Sequence, residues 1–395
     1  MEKHTNITKA FLFAFFALIL YFVFEYQSNL MFSDELVVRS KDSSLFVMAL
    51  LACSLIYFLV NNFKSNHILF RSFSVQMLTM YAFALLMSMY HPFPARITNF
   101  TIILPLVLFW FMYCITYKLE DIRLELVFFL VLSLALTAYF FATYKDNILY
   151  DITRQNNAAY AALFYLPFVL CFKNKLIKIV VSLLFFLAIV FSLKRGGFFA
   201  FFAGIFAYLY VMYYVLGNHK VKIWELLIIV LVIFGPYYLF QMSDFAPGEL
   251  MLARFDDMAE SGGSGRLYIY MNKLKIIGNS GTLGLIFGHG WMATGNEGMI
   301  GVTAHNDFLE MFYDFGIIGF SLFIWVWVSL IRLCKELIIE KSRYAAPMAA
   351  SLAILFVNNC VAHIWIYSNY LATFAMFWGF VLAAKELNYF KINKI

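Results

Sequence analysis

Residues 179–215 read IVVSLLFFLAIVFSLKRGGFFAFFAGIFAYLYVMYYV, two apolar runs parted only by Lys194-Arg195-Gly196-Gly197. Crossing ~30 Å of hydrocarbon takes ~20 such residues, fewer when the ends snorkel. Each run qualifies as a span, and the short polar break between them is a tight turn at a membrane boundary. Working outward, the same texture repeats along the chain. Roughly twelve candidate spans emerge by that length criterion, at 10–24, 45–60, 73–89, 100–117, 126–142, 158–172, 179–193, 198–215, 226–242, 315–333, 347–366 and 370–387.

Composition agrees. Of 395 residues, 63% are hydrophobic and 13% charged, and mean hydropathy is +0.80; a soluble domain has about 25% charged residues. The expected fold class is an all-α polytopic membrane protein, a single integral domain over 1–395. Lys3 and Lys9 precede the first apolar run, but no small-residue cleavage site follows, so that run is read as a span rather than a leader. The five cysteines sit in or beside apolar runs and form no close pair, which argues for small buried hydrophobes over a disulfide or metal framework. The net charge of +6 does not point to nucleic acid, because the basic residues concentrate in short loops. With the N-terminus inside, 18 of the 29 Lys and Arg fall on the cytoplasmic side, which predicts both termini cytoplasmic.

That orientation places one long polar excursion, 243–314 between the ninth and tenth spans, on the periplasmic side. Connections are usually short, so this loop, with short helices of its own, is the expected seat of function. The outer face also gathers Arg154, Lys194, Arg195, Arg254 and Arg266. Lys194 and Arg195 read either as cations snorkelling to headgroups or as an anion clamp, guanidinium matching phosphate oxygens in a fork. Gly265-Arg266 ends a Ser/Gly-rich stretch that reads equally as a flexible loop or as an anion-binding turn before a helix. In that helix Leu267, Tyr270, Met271, Leu274 and Ile277 are expected to share a face lying in the membrane interface, with Lys273 and Lys275 elsewhere.

His305-Asn306 precedes the tenth span. Thr303 is read as the helix N-cap, and His305, Leu309 and Phe312 as one helical face. An imidazole there either marks the membrane boundary or takes a proton from a hydroxyl. His289, between two glycines, is read as a turn residue, and His363 as lying inside the eleventh span, either as interhelical glue or as part of a cavity. The apolar spans carry no internal Asp or Glu, Glu386 lying at the very end of the last one, and no internal repeat is visible, which weighs against an ion-coupled transporter. No ligand spacing for a metal is present.

His305-Asn306, nine residues, then Gly316 and Gly319 resembles the H-[NSQ]-x9-G-x-x-[GTY] pattern of bacterial O-antigen ligases and the related polysaccharide polymerases. Leu193-Lys194-Arg195-Gly196, Gly265-Arg266-Leu267, Phe287-Gly288-His289-Gly290 and Asn156-Asn157-Ala158-Ala159 resemble further family elements, over about residues 155–335. Tyr270, where the family often has Trp, and Lys194, where it often has Ser or Thr, are departures. The resemblance implies metal-independent, cofactor-free, inverting glycan transfer at the periplasmic face of the bacterial inner membrane. The implied donor is a glycan on undecaprenyl pyrophosphate. The implied acceptor is lipid A–core for a ligase or a lipid-linked repeat unit for a polymerase, the ligase being favoured by the His-Asn spacing. By the same resemblance Arg195 and Arg266 bind the pyrophosphate and His305 activates or positions the acceptor hydroxyl. Lys194, Arg254, Arg154, Asn306 and Gly265 complete the expected substrate-binding set. A flippase for lipid-linked glycans, and transfer to protein, are the competing expectations.

Overall fold

The computed structural model describes residues 7–20, 41–60, 74–90, 103–119, 122–147, 158–217, 256, 265–291, 293–296, 303–365 and 368–392. Among these, regular structure is helical throughout. In chain order the helices are α1 (Ile7–Leu20), α2 (Lys41–Val60), α3 (Ser74–Tyr90), α4 (Leu104–Leu119), α5 (Arg123–Asn147), α6 (Ala158–Leu170), α7 (Lys175–Phe191), α8 (Arg195–Leu209), α9 (Arg266–Gly278), α10 (Gly281–Phe287), α11 (Ala293–Asn296), α12 (Asp307–Ile339), α13 (Ala345–Val361) and α14 (Ser368–Ile392). Every expected apolar run coincides wholly or in part with one of them, except 226–242, which lies outside the described residues.

Length alone does not carry the expected count of crossings. Arg123–Ala142, Arg195–Val215, Asp307–Ile339 and Tyr370–Leu387 are long and apolar enough to cross a membrane. Ile7–Leu20, Met48–Tyr57, Ser74–Met87, Leu104–Leu119 and Ala345–Val361 are shorter apolar helices. The protein is an integral membrane protein on this composition.

One apolar core joins most of the bundle. Aromatic rings mesh through it: Phe129 stacks on Phe168 at 3.7 Å, and Phe164 meets Phe374 at 5.0 Å. Such pairs add to plain burial through their quadrupoles. α14 packs along α4, and α13 along α8. The latter contact is close: a Cβ on Gly204 would sit 2.6 Å from Ile354 Cγ1. Some buried polar groups find partners across helices, as Thr116 Oγ1 donates to Glu125 Oε1 (2.9 Å) and Trp378 Nε1 to Ser351 Oγ (3.2 Å). An unsatisfied group in such surroundings costs several kcal/mol or more, roughly.

A second, smaller core lies under the short helices. Ile277, Ala293 and Tyr313 are buried together there, flanked by Ile276, Leu285, Leu309 and Phe312. It fastens α9, α10 and α11 to the first turns of α12.

Candidate functional site

α12 begins where Asn306, in extended backbone, caps it: Oδ1 accepts from the Leu309 amide at 3.1 Å. Thr303, the expected cap, is instead within hydrogen-bond reach of His363 Nδ1, at 3.2 Å. Both residues are competent caps, and Asn outranks Thr. The other arm of Asn306, Nδ2, donates to the Cys360 carbonyl at the end of α13 (3.2 Å).

His305 is therefore not on the helical face expected with Leu309 and Phe312. It sits before the helix at φ 51°, in the left-handed region that a β-carbon disfavours. The buried Glu310 carboxylate holds it there: Oε1 accepts from the His305 amide (3.1 Å), and the Ala304 amide also donates to this carboxylate. Strain of this kind costs about 1–3 kcal/mol and gathers at functional sites.

His363 lies outside α13, which ends at Val361, and not inside a span as expected. The chain leaves the helix because Asp307, fully buried, accepts from the amides of Ile364 (2.9 Å) and Trp365 (3.2 Å). The turn so formed lays the His363 ring on the His305 ring, with centroids 4.6 Å apart and planes 25° from parallel. Tyr270, on α9, ties the same corner together: its hydroxyl reaches the Cys360 carbonyl at 2.9 Å and the His305 carbonyl at 3.4 Å.

Both imidazoles are neutral at pH 7. Burial, then the positive charges of Arg266 and Lys194, push His305 down to about 4. Burial, then His305 and Arg266, push His363 down to about 3. His363 Nδ1 lies 3.8 Å from Glu310 Oε1, an ion-pair distance. The neutral ring makes it a dipole contact instead, since a side chain only 15% exposed pays heavily for a charge.

Arg266 and Lys194 are thus close enough to act on His305 from two different helices. Arg266 is the first residue of α9, behind Gly265 at φ 75°. Arg195 is the first residue of α8, half-buried and next to Lys194, after Leu193 at φ 57°. Lys194, the N-cap of α8, and Arg266, at the start of α9, thus both bear on His305, and a helix N-terminus adds its own partial positive charge. Arg154 and Arg254 lie outside the described residues.

The glycines of the pattern serve the junction behind the site. Gly316 breaks α12 at φ 62°, ψ −167°, and Gly288 has φ 81°. Their backbones cross: a Cβ on Gly288 would fall 2.3 Å from the Asp314 carbonyl oxygen, and one on Gly316 2.4 Å from that of Ile286. The Asp314 carbonyl accepts from the amides of His289 (3.0 Å) and Gly290 (2.8 Å). The His289 ring stacks on Tyr313 at 4.5 Å, in the turn where it was expected. Thr294 bridges the junction, giving its amide to Asp314 Oδ1 (2.9 Å) while its carbonyl takes the Lys273 ammonium.

α9 corrects one expectation. Tyr270 and Ile277 turn to the protein with Lys273, which is 5% exposed, while Leu267 (62%), Met271 (53%) and Leu274 (50%) point away. The unpacked apolar stripe is narrower than expected, and the lysine assigned to the polar face is buried. Asp307, Glu310 and Asp314 are also buried at the head of α12, within the stretch long enough to span. Bounding the tenth span at 315 hid them. Each carboxylate accepts hydrogen bonds from the backbone, so all three hold turns in place.

Residues 180–324 match the family model described as O-Antigen ligase. That match makes this stretch, 145 of the 395 residues, similar to O-antigen ligases. No curated protein matches the chain. The matched segment runs from within α7 to the middle of α12, a narrower stretch than the resemblance suggested. It takes in Lys194, Arg195, Gly265, Arg266, His305, Asn306, Gly316 and Gly319 and stops short of His363. The matched stretch of this membrane protein is thus similar to O-antigen ligases, in keeping with the resemblance read from its motifs. Glu310 and Tyr270 are the members of this corner to which sequence reasoning gave no role in the site, while His363 was left open between interhelical glue and a cavity. For Glu310 the usable signal was its place in the first turn after a capping Asn; for His363 the sequence offered no sign of its neighbour His305.

Proposed function

We propose that this protein transfers a glycan from undecaprenyl pyrophosphate to a sugar hydroxyl at the periplasmic face of the inner membrane, with lipid A–core as acceptor. The observation that carries the reading is the neutral His305 imidazole held beside Arg266 and Lys194. A neutral imidazole has a lone pair to receive the acceptor's hydroxyl proton. The acceptor oxygen attacks the anomeric carbon from the face opposite the pyrophosphate. The bond from that carbon to the phosphate oxygen breaks with its electron pair, and the anomeric centre inverts.

Electrostatics links the two halves of this step. Burial first, then the charges of Arg266 and Lys194, hold His305 at about 4, a weak base. Bound pyrophosphate offsets the cations' share of that depression and makes the imidazole a stronger base, while burial still keeps it below its ordinary ~6.5. Arg266, Lys194 and Arg195 then neutralise the charge that grows on the leaving oxygen. Gly265 opens the anion-binding turn, Asn306 fixes the acceptor side, and Arg254 and Arg154 extend the basic path for the donor.

Purified protein given a lipid-pyrophosphate glycan and an acceptor is expected to release lipid pyrophosphate. Arg266→Ala, Arg195→Ala and His305→Ala are each expected to abolish transfer while the protein stays folded in the membrane. Near-normal turnover in the Arg266 or His305 variant sinks the assignment. Deletion in the source bacterium separates the acceptors: loss of all polymer from lipid A–core means ligase, and a single capped repeat unit means polymerase. Movement of intact lipid-linked glycan without transfer would mean a flippase.

A further inference from the structure

His363 comes from the turn between α13 and α14, beyond the matched residues, and yet its ring lies flat on His305. Three contacts determine where that ring sits. Thr303 reaches Nδ1 from the loop before α12. Glu310, fully buried, stands on the same side of the ring. Asp307 holds the following turn by two amides. A carboxylate oxygen facing Nδ1 repels a lone pair there and favours the tautomer with the proton on Nδ1, so the ring has one preferred orientation as well as one position. His305, by contrast, is held through its backbone: Glu310 takes its amide and Tyr270 approaches its carbonyl. Among the described residues, what fixes its side-chain plane is the stacked ring.

We propose that His363 is a positioning residue for the transfer reaction, its anchored ring being the platform that orients the His305 imidazole toward the acceptor hydroxyl. This rests on the transferase reading above. The working feature is the flat ring; the Thr303 contact only secures it.

Three variants separate ring from tether. His363→Phe keeps the stack and loses the hydrogen bond. His363→Gln keeps a hydrogen-bonding group for Thr303 and loses the stack. His363→Ala loses both. In the purified transfer assay, Ala and Gln are expected to lower kcat about 10²-fold, the effect of a ~1 Å misplacement of a reacting group. KM for the lipid-linked donor should stay within about twofold, since donor binding is not touched. Phe is expected to recover at least tenfold over Gln, roughly. A tether that merely holds the fold predicts the reverse order, Gln above Phe, and that order overturns the proposal, as does wild-type kcat in His363→Ala. Histidine-labelled protein reads the stack whatever reaction is catalysed: the His305 ring resonances should move in Ala and Gln and hold in Phe, and unmoved resonances in Ala overturn the platform. Full activity in Arg266→Ala and His305→Ala would instead sink the transferase reading, and the resonances would still report on the rings.

Discussion

Replacing Gly316 by Ala should unlock the junction behind the site without touching a charged residue. The added Cβ would lie 2.4 Å from Ile286 O, 2.5 Å from Ile286 C and 2.7 Å from Gly288 N, all backbone atoms that cannot rotate away. Relief to an ordinary contact needs a shift of about 1 Å. The bonds from the His289 and Gly290 amides to Asp314, at 3.0 and 2.8 Å, would then stretch past useful length. Losing both costs about 1 kcal/mol each, and forcing a β-carbon into this glycine-only backbone region adds about 1–3 kcal/mol. The sum is about 3–5 kcal/mol. At roughly 1.4 kcal/mol per decade, hydrogen exchange at His289 and Gly290 should quicken by about 10²- to 4 × 10³-fold. Gly278→Ala is the control: it ends α9 with open space around its Cβ position, and should be neutral or slightly stabilising. Transfer should fall in the Gly316 variant and persist in the control. Equal exchange rates in the two proteins would refute the backbone-crossing account.

Acid should destabilise the fold through its histidines. His305 sits at about 4 and His363 at about 3, both below the ordinary ~6.5. Below that ordinary value the unfolded chain takes up protons that the folded chain refuses, so stability is complete above it and falls as pH drops toward 4, by up to ~1.4 kcal/mol per pH unit per histidine. Thermal midpoints across that range should show the slope, and His305→Gln should flatten it. Asn306→Ala should cost about 1 kcal/mol as a lost cap, and more with the Cys360 contact gone; Asn306→Asp restores the cap alone, giving an intermediate thermal midpoint. Gly204→Ala should cost about 1–3 kcal/mol by overpacking α8 on α13, and in a double-mutant cycle Ile354→Ala should couple with it, because Ile354 Cγ1 is the atom struck.

How much of this was legible along the chain depends on how far each cause acts. The helices follow from apolar runs, a local property, and they appear where those runs were. The Gly316 and Gly288 motifs were visible as spacing, but their reason, two backbones crossing, is a contact between α10 and α12. His305 was misplaced onto a helix because Thr303 and Asn306 compete as caps and periodicity cannot arbitrate; the Glu310 carboxylate does. His363 was placed inside a span because hydropathy counts residues and does not see Asp307, 57 positions away, taking the amide of Ile364. Lys273 was placed off the apolar face of its helix, whereas the Thr294 carbonyl receives it in the small core.

The turn at His305 also determines what the main chain can offer a substrate. Ala304 and His305 both direct their amides inward to one carboxylate, and Leu309 gives its own to Asn306. A pocket of peptide N–H groups of the kind that hydrolases use to cradle a nascent oxyanion therefore cannot assemble from these three. Negative charge arriving at this corner is met by other groups, the Arg266 and Lys194 side chains first among those shown to act on His305.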